Sequence, residues 1–303
     1  MFALTTLDVA SRPVACLEID GSHYPLATCA RVLDLPALDA SVRELFEDWT
    51  RSLALLELAA ARRAALAGHE VAGPVRHLAP LQYPGKVLCA GANYHDHLAE
   101  MNVPNAADKS AQRLFFFFKP PRQAVVGEGA TVHMPIGCQR LDWEIELALV
   151  IGKTARNVSL EDALDHVAAY TVAVDMSARD LNKAPDTFYK LDWVAGKAHD
   201  TSCPLGPRLV PAAFIPNPMD LGMKLSVNGQ LKQDARSSGM VFDIREQLVT
   251  LSRIMTLEPG DLVLTGTPAG VGAPQGTFLQ ISDEISATIE GIGTLVVQIQ
   301  ASR

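Results

Sequence analysis

The chain has 303 residues, 48% hydrophobic and 20% charged, with no low-complexity stretch, which excludes fibrous and unstructured classes and leaves room for one large domain with a smaller companion. Its 26 basic and 34 acidic residues give a formal net charge of −8 without a Lys/Arg cluster able to neutralise a row of phosphates, so no nucleic-acid partner is expected. Cys16, Cys29, Cys89, Cys138 and Cys203 are far apart and never in a C-x-x-C pair, which argues against a disulfide framework or a thiolate zinc site; with no basic leader and no apolar run of about 18 residues, a cytoplasmic protein without membrane contact is expected.

In chain order, residues 1 to about 30 read as short strands, a hairpin turning at Asp20-Gly21-Ser22. Over 37–66, Val42, Leu45, Phe46, Trp49, Leu53 and Leu56 recur mostly at spacings of three and four, the pattern of amphipathic helix in one or two pieces. Gly68, Gly73, Pro74, Pro80, Pro84 and Gly85 break that pattern and place the edge of a small α+β N-terminal domain, residues 1–75, ahead of a catalytic part, residues 76–303. Beyond it, apolar runs at 87–90, 114–118, 143–151, 170–174, 225–227, 262–264, 285–289 and 295–299 read as strands. One helix interrupts them, opening at Asp243 with Glu246 three residues on and closing at Pro259-Gly260-Asp261. The expected class is mainly β with α, an α+β fold without internal repeat or phosphate-binding glycine loop.

Three segments carry groups with chemistry. In Trp143-Glu144-Ile145-Glu146-Leu147, a strand's period of two sets Glu144 and Glu146 on one face, where like charges in apolar surroundings call for a cation; the alternative is a solvent-facing edge with two harmless glutamates. Asp175 ends the apolar run 169–174 where a strand meets a loop, and three carboxylates without a softer partner suit Mg²⁺ or Mn²⁺; alone, Asp175 reads rather as a loop cap. His97 and Glu100 stand at i and i+3, so one helical turn brings carboxylate to imidazole, the arrangement of a general base; alone, the segment reads as a surface His-rich turn. His95 and His97, two apart, diverge on a helix.

Taken together, Gly91-x-Asn93-Tyr94-x-Asp96-His97, Phe118-Lys119-Pro120, the stretch from Trp143 to Gly152, Asp175-Met176-Ser177-Ala178-Arg179-Asp180, Cys203-Pro204-Leu205-Gly206-Pro207, Val227-Asn228-Gly229, and Pro259-Gly260-Asp261 through Gly272 resemble the fumarylacetoacetate hydrolase family. Seven pieces in register, spanning about Lys86 to Gly293, make the resemblance specific. It implies a mixed β-sandwich roll, a homodimer, and Mg²⁺ or Mn²⁺ held by Glu144, Glu146 and Asp175. It further implies a small-molecule substrate, an acylpyruvate, β-diketone or related 2-oxo acid, with His97 and Glu100 activating water and Lys197 offering a donor to the developing oxyanion. Arg179, Asn182, Lys119 and Thr267 are the substrate contacts it suggests.

Two departures stand out: Asn182 is one methylene shorter than the family's usual Gln, and His199 stands where Phe is commoner, implying a more polar pocket wall. The expected reaction is metal-dependent hydrolysis of a carbon–carbon bond; a decarboxylase, a tautomerase or isomerase, and a hydratase are the alternatives on the same scaffold, and a metal-free binding paralogue is the alternative outside enzymes. The loop 183–195, with Phe188 and Tyr189, reads as a wall of the pocket or as packing.

Overall fold

Alternation along the strand Ile145–Ile151 explains the centre of the molecule. Ile145, Leu147, Leu149 and Ile151 enter one apolar core, while Ala148 and Val150 enter another on the opposite face. The neighbouring strand Val167–Val174 divides in the same way, Tyr170, Val172 and Val174 into the first core and Ala169 and Ala173 into the second. A sheet buried on both faces reads in sequence as a continuous apolar run, as these two strands do.

The computed structural model describes residues 1–302. Its larger sheet has eleven strands; the main path runs Ser22–Pro25, Arg12–Ile19, Ala3–Val9, Cys203–Pro211, Val167–Val174, Ile145–Ile151, Leu262–Leu264, Val87–Gly91, Phe115–Lys119. Pairing is mostly antiparallel, with Leu262–Leu264 parallel to Val87–Gly91. A second sheet of five strands, Gln230–Arg236, Gly222–Val227, Glu284–Ile289, Gly293–Gln300 and Thr131–His133, packs over the first core. The architecture is α+β, with few helices on mixed sheets. Among the described residues no helix is long and apolar enough to cross a membrane.

The hairpin Ala3–Val9 with Arg12–Ile19 forms as expected, but residues 26–33 are helix rather than strand. That helix, Leu26–Leu33, has Pro25 at its N-cap and no side-chain cap, so it lacks the usual start signal; Leu26, Cys29, Ala30 and Leu33 bury its inner face. The amphipathic stretch divides into Val42–Leu45, a short 3₁₀ turn and Trp49–Ala61. The N-terminal segment shares both sheet and core with the rest: Leu4 pairs with Leu209, and Leu17, Leu26 and Phe46 bury in the same cluster as Cys89, Ala148 and Leu264. The helix Ile244–Ile254 begins with the expected capping box, Asp243 and Glu246 exchanging side-chain and backbone bonds.

Candidate functional site

Glu144, Glu146 and Asp175 meet because two adjacent antiparallel strands end together. Ala173 pairs with Glu146 and Val174 with Ile145, and the Asp175 amide donates to the Glu144 carbonyl at 2.8 Å. All three side chains are buried, and one oxygen from each lies within 4.8 Å of the others.

Cations converge on this cluster. Lys197 Nζ donates to Glu144 Oε2 at 2.6 Å and to Asp175 Oδ2 at 2.7 Å. Arg179 donates to Glu144 Oε1 at 2.5 Å and, through Nε, to Asp142 Oδ2 at 2.9 Å. Lys119 Nζ lies 2.7 Å from Asp175 Oδ1, but its hydrogen bonds run to the carbonyls of Met176 and Lys197, so that oxygen is left without an aligned donor. Glu146 receives the Gly266 amide at one oxygen and, among the described residues, touches no cation.

Electrostatics follow this geometry. Burial raises the Glu146 carboxyl well above its ordinary range, and the charges of Asp175 and Glu144 push the same way. Burial also works against the charge on Glu144, but Lys197 and Arg179 overcome it and hold that carboxyl below its ordinary range. For Lys197, burial opposes the ammonium while Asp175 and Glu144 sustain it, with a pKa of about 12. Four buried carboxylates, Asp142, Glu144, Glu146 and Asp175, thus face three cations, Lys119, Arg179 and Lys197. A Glu146 with no cation beside it among the described residues and an all-oxygen ligand set fit a hard divalent ion.

His97 reaches the same place on the short helix His95–Glu100, whose first turn follows the strand Val87–Gly91. Its Nδ1 is 2.7 Å from Glu100 Oε1, and Glu100 Oε2 accepts the Gly270 amide at 2.9 Å. With Glu100 accepting at Nδ1, Nε2 is the basic nitrogen. A cavity of about 180 Å³ exposes His97, the three acids, Arg179, Lys197 and Thr267 together, walled by Phe115, Phe117 and Trp193. Trp193 stacks on Phe117 with ring centroids 5.2 Å apart. A larger cavity of about 440 Å³ against the N-terminal hairpin gathers no comparable set of acids.

Not every expected residue arrives. Asn182 lies outside the cavity: its amide donates to the Asp192 carbonyl at 3.0 Å and its side chain packs under Gly196, tying two short helices together. Lys119 is fully buried behind Asp175 and supports an acid rather than lining the cavity. His199 does not line the cavity either; burial, with Lys119 nearby, lowers its pKa to about 4. Phe188 and Tyr189 stand in solvent, whereas Trp193 from the same loop is part of the wall.

Asp142 and Gln233 were missed by sequence reasoning. Asp142 is fully buried, holds Arg179 and accepts the amides of Gly272 and Ala273, while Gln233 bonds Thr267, the Pro268 carbonyl and the Ile145 amide. Together they pin the loop whose Gly270 amide holds Glu100. Gly270 adopts φ +102°, and a Cβ there would meet the Lys232 carbonyl at 2.1 Å. Asp142 had a legible signal, a further acid two residues before Glu144, although it belongs to the short strand Leu141–Asp142 rather than to Ile145–Ile151; Gln233 had none, because it comes from the second sheet.

Comparison with known proteins agrees with this geometry. The model of the family described as fumarylacetoacetate (FAA) hydrolase C-terminal matches residues 86–300. A Bos taurus protein named oxaloacetate tautomerase FAHD2B, mitochondrial, is 36% identical over 274 residues, covering 88% of this chain and 83% of that one. The fumarylacetoacetate hydrolase of Exiguobacterium antarcticum superposes with a TM-score of 0.78 at 31% identity over the whole of both chains. The fumarylpyruvate hydrolase of Pseudomonas aeruginosa, solved with Mn²⁺ and pyruvate, gives 0.65 at 33% identity, covering 77% of this chain and 94% of that one.

Proposed function

The chain belongs to the fumarylacetoacetate hydrolase family, and from that premise we propose that it is a divalent-metal-dependent tautomerase of 2-oxo acids, oxaloacetate among them. The observation that carries this reading is the shared cavity, in which a base with a partly buried carboxylate partner, His97 with Glu100, faces three convergent acids. Glu144, Glu146 and Asp175 would hold Mg²⁺ or Mn²⁺; the Mn²⁺ and pyruvate of the Pseudomonas aeruginosa neighbour support both the ion and the 2-oxo acid. Such an ion supplies a Lewis acid that acidifies the carbon beside the 2-oxo group.

The chain's own groups do the rest. His97 Nε2 takes the C3 proton and returns one to the substrate, and Glu100 stabilises the imidazolium formed meanwhile. Lys197 has one ammonium proton beyond the two given to Glu144 and Asp175, and Arg179 keeps Nη1 beyond its bonds to Asp142 and Glu144, so both have donors for the oxygen where charge develops. Thr267 adds a hydroxyl at the wall, and Lys119 positions Asp175. Asn182 has no place in this mechanism, since its amide is engaged by Asp192.

Hydrolysis of a carbon–carbon bond in an acylpyruvate is the second reading, favoured by the same Nε2, which can accept a proton from water as readily as from carbon. A homodimer, a cytoplasmic location and the division into a cap, residues 1–75, and a catalytic part, residues 76–303, belong to this proposal. Stopped-flow absorbance with Mn²⁺-loaded protein tests the reaction: faster keto–enol interconversion of oxaloacetate is expected, with His97→Ala slower by roughly 10²- to 10⁴-fold. No acceleration by the wild type, together with cleavage of acetylpyruvate, replaces tautomerase by hydrolase; inactivity on both overturns both readings.

A further inference from the structure

The polar strand Gln230–Arg236 has a single fully buried residue, Gln233. A bulge aims it inward: Leu225 pairs with Gln233 but Ser226 with Leu231, so Lys232 is the extra residue. The Lys232 carbonyl at this bulge is also the atom that a Cβ on Gly270 would meet. Every bond of the Gln233 amide then crosses to another segment. Its Oε1 accepts the Ile145 amide at 3.0 Å, while its Nε2 donates to Thr267 Oγ1 at 2.9 Å and to the Pro268 carbonyl at 2.8 Å. Ile145 stands between Glu144 and Glu146, and Thr267 and Pro268 lie between Gly266 and Gly270, whose amides hold Glu146 and Glu100.

These partners fix which way the amide faces. A backbone N–H only donates, so the atom facing Ile145 is oxygen; a backbone carbonyl only accepts, so the atom facing Pro268 is nitrogen. Both protons on Nε2 are then spent, one on the carbonyl and one on Thr267, which makes Thr267 Oγ1 the acceptor. Thr267 lines the cavity of the three acids, and among the described residues its hydroxyl has no other partner. We propose that Gln233 is a positioning residue: by donating to Thr267 Oγ1 it turns the Thr267 hydroxyl proton into the cavity, toward an anionic oxygen of the ligand. The proposal rests on the reading of the cavity as a 2-oxo acid site, whose ligand supplies that oxygen as carboxylate or enolate. A hydroxyl that already accepts a hydrogen bond is the stronger donor, and one held in place needs no reorientation when charge arrives.

Calorimetry with pyruvate on the full chain at saturating Mn²⁺ tests this without relying on turnover, in a cycle of Thr267→Val and Gln233→Met. Removing the hydroxyl is expected to weaken pyruvate binding about tenfold in the otherwise wild-type chain, as for a hydrogen bond to a charged group, and about twofold or less in a chain that already carries Gln233→Met. If Gln233 serves packing alone, Thr267→Val costs the same in both chains, and that result overturns the proposal; so does a Thr267→Val chain that binds pyruvate like the wild type. Either leaves the reading of the cavity standing. Should Gln233→Met not fold, Gln233→Asn, which keeps an amide but is one methylene too short for all three bonds, takes its place in the same cycle with the same expected results. Failure of the wild type to bind pyruvate overturns the reading of the cavity and the proposal with it.

Discussion

Two clusters of buried charge lie in this molecule, and only one is built for chemistry. At the carboxylate centre, contacts of 2.5–2.7 Å from Arg179 and Lys197 keep Glu144 ionised. Between the N-terminal hairpin and the strand Cys203–Pro211 sits the other: Glu18 is 4% exposed and 2.6 Å from Arg208, the rings of His23 and His77 are 5.4 Å apart, and His77 Nε2 is 3.9 Å from Glu128. Here burial prevails, raising the Glu18 and Glu128 carboxyls, lowering His77 and bringing His23 to about 4. In the second cluster burial prevails throughout; in the first, cations hold Glu144 ionised while burial raises the Glu146 and Asp142 carboxyls, and carboxylates outnumber cations. Shifted pKa values therefore occur in both places, and what singles out the first is the added excess of ligand oxygens, the cavity and the dyad.

Removing a ligand from the first cluster should have the largest effect. Glu146→Ala is expected to lower Mn²⁺ affinity by about 10²-fold or more in calorimetry, since one of three charged ligands is lost, whereas Glu18→Gln should leave that affinity where it was. Undiminished binding by Glu146→Ala would break the contrast between the clusters. Asp142→Asn comes next: it removes the charge that holds Arg179, leaving a mostly buried cation short of a partner, at an expected cost of about 3 kcal/mol in denaturant unfolding and at least about tenfold in turnover. Unchanged stability would mean that Asp142 does not anchor the site.

The smallest expected effect is a pH dependence belonging to the second cluster. His23 stays neutral in the folded chain down to about pH 4, but in the unfolded chain it takes up its proton near 6.5, so its contribution lowers stability progressively as pH falls from about 6.5 to about 4. His23→Gln lacks that proton, so the loss of melting temperature between pH 7 and pH 5 should be a few degrees smaller than in the wild type. Equal losses would place the acid sensitivity elsewhere.

Much of the catalytic region could be read from local pattern. The runs at 87–90, 143–151, 262–264, 285–289 and 295–299 became strands within a few residues, and the capping box at Asp243 opened the helix where expected. The strand Cys203–Pro211 was obscured by Pro204, Gly206, Pro207 and Pro211, yet it joins Ala3–Val9 to Val167–Val174 with a shift of register that accommodates them. The polar strand Gln230–Arg236 was invisible because it lies at the edge of its sheet and buries few apolar groups. Asn182, set by motif position among the substrate contacts, gives an amide bond to its own loop and lines a neighbouring cavity rather than the inner one.

What the sequence determined by itself was whatever a short stretch of backbone enforces. The E-x-E spacing brought Glu144, just ahead of the strand Ile145–Ile151, beside Glu146, and a single helical turn put Glu100 against His97. Tertiary structure decided which segments became neighbours: Asp175 reached the glutamates through the register of Val167–Val174, and Lys119, Arg179 and Lys197 came from three other segments to balance them. The loop that holds Glu100 was fixed by Asp142, from a short two-stranded pairing with Ser177–Ala178, and by Gln233 from the five-stranded sheet. Local geometry is written in neighbouring residues, whereas charge balance in a buried site depends on long-range pairing, which a linear pattern does not encode.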